Sequence, residues 1–77
     1  MSDIKIKQLS LEFIERILME KEYTSKDEVM INALTKYKSL DDNNQLKKVL
    51  KQTISYLKDL SFEEMQELIN LFKYNKF

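Results

Sequence analysis

The sequence predicts a mainly helical chain with one short β-strand at its N-terminus, paired with the same strand of a second copy. Three observations carry this expectation. Glycine and proline are absent, which favours helices joined by short polar turns. Four segments place apolar residues three and four apart behind residues of capping type. Residues 3–9 break that spacing: Ile4 and Ile6 alternate with Lys5 and Lys7, the period of two that marks a strand.

A lone strand leaves its backbone donors and acceptors unpaired. No second alternating run is present, so the partner is expected to be the same strand of another chain. The first helix is predicted after Ser10, with Leu11, Ile14, Ile17 and Leu18 at helical spacing. Ser25-Lys26-Asp27-Glu28 is a capping box: Ser25 can cap the amide of Glu28, and Glu28 can reach back. Val29, Met30, Ala33, Leu34 and Tyr37 then form one face running towards Leu40.

Asp42-Asn43-Asn44-Gln45 resembles the same box and opens a third helix striped by Leu46, Val49, Leu50, Thr53, Ile54, Leu57 and Leu60. Ser61-Phe62-Glu63-Glu64 is a further box, with Leu60 and Met65 placed as a hydrophobic staple. Phe62, Leu68, Ile69 and Phe72 continue the fourth helix, and residues 73–77 are expected to fray. The third helix is basic (Lys47, Lys48, Lys51, Lys58) and the start of the fourth acidic (Asp59, Glu63, Glu64, Glu67). Residues 41–77 are therefore expected to form a local helical hairpin, packed in one compact domain with residues 1–40.

Composition narrows the function. A chain of 77 residues makes one small domain of marginal core. Without cysteine or histidine it has no disulfide, none of the usual zinc ligands, no usual general base and no thiol nucleophile. Without glycine it has no glycine-rich phosphate loop. The expectation is a non-enzyme with no metal and no cofactor, which gains core by self-association. Thirteen basic and thirteen acidic residues cancel, so any nucleic-acid contact must come from a local patch. The apolar runs are too short for a membrane span or a signal peptide, and a cytoplasmic location is expected.

Short strand, helix and capped helix together resemble the ribbon-helix-helix family of DNA-binding proteins over residues 3–40. "TSKDEVMINALTKY" looks like that family's second helix, and "LSLEFIERIL" its strand-to-helix junction. The resemblance implies a homodimer, or a tetramer on adjacent half-sites, whose paired strands enter the major groove of double-stranded DNA. Lys5, Lys7 and Gln8 would then read bases, while Ile4 and Ile6 pack inward. Ser25, with the amides of Lys26 and Asp27, would hold a backbone phosphate. The family's glycine between the two helices is missing; Glu22-Tyr23 stands there. The implied function is a small transcriptional repressor of plasmid, phage or antitoxin type, with residues 42–74 available to a protein partner.

A second reading comes from the residues themselves: an all-helical protein-interaction module, such as a small phage or mobile-element inhibitor or adaptor, binding through its C-terminal helices. Electroneutrality, a single arginine (Arg16) and four legible helices favour it. Residues 3–9 discriminate, because a paired ribbon supports the DNA reader and a helix supports the module.

Overall fold

The structure, a computed structural model, describes residues 3–74. Four helices succeed one another: α1 (Asp3–Glu20), α2 (Lys26–Lys38), α3 (Gln45–Asp59) and α4 (Phe62–Tyr74). Among the described residues there is no strand. This overturns the expected N-terminal ribbon, and with it the ribbon-helix-helix resemblance, which requires a strand to pair.

The physical reason is the apolar register that begins at Ile6 and runs on beyond the alternating residues. Ile6, Leu9, Ser10, Phe13, Ile14 and Ile17 stand at i, i+3, i+4, i+7, i+8 and i+11, one continuous helical face. All six are buried or half-buried. Four residues of alternation cannot outweigh three turns of helical register. On a helix Ile4 and Ile6 are no longer an inward pair: Ile6 is half-buried, whereas Ile4 is 73% exposed.

Ser10, expected as an N-cap, therefore lies within α1 and is completely buried. Its hydroxyl donates to the carbonyl of Ile6 at 2.7 Å and approaches the carbonyl of Val49 at 3.3 Å. Thr53 mirrors it from α3, donating to Val49 O at 2.8 Å and approaching Ser10 O at 3.4 Å. Two small residues thus face each other where α1 crosses α3, and each polar group finds a carbonyl inside its own helix.

The other two helices lean on this pair. α2 lies mainly on α3, and α4 mainly on α1. The expected α3–α4 hairpin is corrected accordingly: α4 turns away from α3 to cover α1. The core joins all four helices through Ile17 and Leu18 (α1), Val29 and Ala33 (α2), Leu50 and Leu57 (α3), and Met65 and Ile69 (α4). Each of the larger side chains contributes about 1.5–3 kcal/mol by leaving water.

Local chemistry explains the boundaries. Ser25 caps α2, accepting from the amide of Glu28 at 3.4 Å, but the carboxylate of Glu28 turns to the Thr24 hydroxyl instead of closing the box. α3 is capped by Asn44, which accepts from Leu46 N at 2.9 Å; Asp42 pairs instead with Lys47 at 2.7 Å. The Ser61–Glu64 box closes in both directions, at 3.1 and 2.9 Å. The α1–α2 turn manages without glycine because no described residue needs a positive φ. Tyr23 anchors that turn by donating its hydroxyl to Ile17 O at 2.5 Å. α4 runs through Tyr74; residues 75–77 of the expected frayed tail lie outside the described residues.

Extra volume at the α1–α3 crossing has nowhere to go. Ser10→Met is expected to lower stability by about 1–3 kcal/mol, and Glu12→Met on the exposed side of α1 by less than about 0.5 kcal/mol. Urea unfolding checks this; equal midpoints for the two variants would contradict the crossing described.

Candidate functional site

The helix redistributes the residues expected to touch DNA. Lys5, Lys7 and Gln8 are exposed on the first two turns of α1. Residues two apart share a face on a strand, but on a helix they point about 160° apart, so Lys5 and Lys7 diverge. Lys7 stands beside Ile6, Gln52 and Tyr56. Ser25, Lys26 and Asp27 occupy a different place, the start of α2. There the Ser25 hydroxyl is engaged as the cap, and Asp27 and Glu28 already face the positive end of the helix dipole. The Lys26 ammonium reaches away from that end and donates to the carbonyl of Lys58 at 2.7 Å, near the α3 C-terminus. The structure brings neither group of three together with the other.

What it does bring together is an apolar furrow. Leu11 and Ile14 of α1, Tyr56 of α3, Leu60 after it, and Leu68 and Phe72 of α4 line an open hollow of about 600 Å³. Leu11 is 55% exposed there, although it belongs to the predicted α1 stripe. Glu12 and Glu15 of α1 and Asp59 of α3 stand along the rim. Tyr56 also borders a smaller hollow of about 290 Å³ with Ile6, Lys7 and Gln52, so the two hollows adjoin. No separate signal in the sequence marks this face. On a helical wheel Leu11 falls within about 20° of the fully buried Leu18, so the periodicity marks it as apolar stripe and does not announce its exposure.

Among the described residues no three acidic, histidine or cysteine side chains converge as a metal site. The furrow's polar groups are carboxylates and one phenol, with no nucleophile held against a base.

The perturbed titrating groups lie elsewhere, at the α1–α2 contact and at the starts of α3 and α4. Glu20 at the end of α1 meets Lys36 of α2 at 2.9 Å and accepts from Asn32 at 3.1 Å. The Lys36 and Asn32 hydrogen bonds hold its carboxyl below the usual value, in that order of importance. Asn32 also donates to the Tyr23 hydroxyl at 2.8 Å, while burial pushes that phenol up. Asp42 is held down by its hydrogen bond to Lys47, and Lys47 is raised by the same bond. Lys47 also stands 4.8 Å over the Tyr37 ring, fastening the α2–α3 loop. Glu64 is lowered by the backbone amide of Ser61 in the α4 cap.

Comparison with known protein families, with curated proteins and with solved structures yields no match to this chain. Among the described residues no helix is long and apolar enough to cross a membrane.

The depressed carboxyls of Glu20, Asp42 and Glu64 set the direction of acid sensitivity. The folded chain binds fewer protons than the unfolded chain in the acidic range, so their contribution is complete above the ordinary carboxylate pKa of about 4. It is lost as pH falls through the lowered folded values. The urea midpoint is expected to drop between neutral pH and about pH 3, and Glu20→Gln should reduce that drop. A midpoint independent of pH across this range would contradict the assigned contacts.

Proposed function

We propose that this chain is a non-enzymatic helical protein-interaction module whose working surface is the furrow between α1, α3 and α4. The observation that carries the reading is Leu11. A small domain with little core to spare leaves this leucine 55% exposed beside Tyr56, Leu68 and Phe72, where they form one apolar surface. Contiguous apolar surface rimmed by charge favours a macromolecular contact. A large side chain entering the furrow would gain from burial without displacing any existing hydrogen bond. The balanced net charge supports the same reading, since it provides no general attraction for a polyanion.

The surface differs from the one expected of the C-terminal helices alone, because α1 supplies one wall. The strand ribbon that carried the DNA reading is absent among the described residues, and helical Lys5 and Lys7 diverge.

Site-specific photocross-linking tests the proposal in the cells that make the protein. A benzophenone side chain in place of Leu11 is expected to give covalent adducts of defined mass. The same group in place of Lys51, exposed on α3 away from the furrow, should give none. No adduct from position 11, or equal labelling from both positions, would overturn the furrow as the working surface.

A further inference from the structure

We infer that the occupant of the furrow is a second copy of this chain, docked about a two-fold axis. This rests on reading the furrow as the working surface and adds the identity of the partner.

The charge pattern along the furrow is the first argument. α1 and α3 run in the same direction along it: Ile6 and Lys7 lie beside Gln52 at one end, and Glu15 lies with Asp59 and Leu60 at the other. Tyr56 stands between and borders both hollows. Lys48 sits one turn before Gln52 on the same side of α3 and is exposed. Positive charge therefore marks one end of the furrow, with Lys7 in its lining and Lys48 a helical turn beyond Gln52, and negative charge marks the other (Glu12, Glu15, Asp59). In a two-fold contact the same patch meets itself, so whatever residue i touches, it is touched by in return. An antiparallel copy lays each basic end over the opposite acidic end, twice. A uniformly basic partner would satisfy the carboxylates but meet repulsion at Lys7 and Lys48.

Apolar surface obeys the same plan. Ile4 lies two turns before Leu11 on one face of α1 and is 73% exposed. It extends the apolar strip beyond the furrow towards the basic end. Reversal by the two-fold axis carries this projecting side chain towards the Leu68–Phe72 end of the other copy's furrow. A projection at one end and a hollow at the other are complementary when the face meets itself.

Size sets the strength. The broadest face of the molecule measures 34 × 27 Å. A standard stable interface needs about 800 Å² per partner, close to that whole face. The furrow with its two ends supplies less, so the dimer belongs with the smaller, transient class of contact.

Sedimentation equilibrium from low-micromolar to near-millimolar concentration tests this on the full chain. Wild type is expected to move from 9.3 kDa towards twice that mass. Leu11→Asp should weaken association at least about tenfold by placing a charge on the apolar strip. Two reversed variants read the electrostatics: Lys7→Glu/Lys48→Glu, acidic at both ends, and Glu15→Lys/Asp59→Lys, basic at both ends. Each alone should associate less than wild type by about 2- to 10-fold, and a mixture of the two should dimerise again. Recovery in the mixture also shows that both variants fold.

A wild type that stays at 9.3 kDa throughout overturns the self-docking. So does a dimer that neither Leu11→Asp nor the charge reversals change, because it would use another face. The adducts from position 11 separate this failure from failure of the functional reading. A product of twice the chain mass supports the second copy. Adducts to a different protein sink self-docking while keeping the module, and no adduct sinks both.

Discussion

The α1–α3 crossing is the contact on which the rest of the structure depends. Ser10 and Thr53 are both fully buried, and each hydroxyl donates to a carbonyl of its own helix, at 2.7 and 2.8 Å. A hydroxyl that satisfies itself inside its helix is as short as a small apolar residue without leaving a buried donor unmade. The two backbones can then lie close, and the neighbouring large residues, Ile14, Ile17, Leu50 and Leu57, close over the seam. α2 and α4 complete the fold from opposite partners, one on α3 and the other on α1. With the two outer helices so placed, one side of the seam stays open, and that opening is the furrow.

Much of this was legible in the sequence, and the misses have definite causes. The α2 and α4 starts were readable because Ser25 and Ser61 are true caps, each accepting from the amide three residues on. The α3 stripe was readable because Val49, Leu50, Thr53 and Leu57 all point inward. Ser10 misled because a serine before an apolar run has two uses, as a cap or as a close-packing residue inside a helix, and local sequence does not separate them. The Ile4–Ile6 alternation misled for a related reason: four residues are too few to fix a period. The register from Ile6 through Leu9, Phe13 and Ile17 was the stronger signal. The expected hairpin failed because complementary charges on α3 and α4 do not decide packing; the apolar face of α4 finds α1 instead.

The site was less legible than the fold. Leu11 counts as core among the apolar residues and becomes surface only when the direction of burial is known. The charge polarity along the furrow is hidden twice over, first by a net charge of zero and then by the distance in sequence between Lys7 and Lys48 or Glu15 and Asp59. Only a fold that runs α1 alongside α3 in the same direction gathers these charges into two ends. An electroneutral composition can therefore conceal a strongly patterned face.

The fold described requires that α1 run as one helix through residues 4–9 and meet α3 at Ser10. Nuclear magnetic resonance of the isotope-labelled chain addresses both points in a single sample. Helical Cα shifts are expected from Lys5 through Leu9, together with a through-space contact between the Ser10 and Thr53 side chains. Strand-like or random-coil shifts over residues 4–9, with no contact from Ser10 to α3, would contradict the fold described and the α1–α3 crossing beside which the furrow lies.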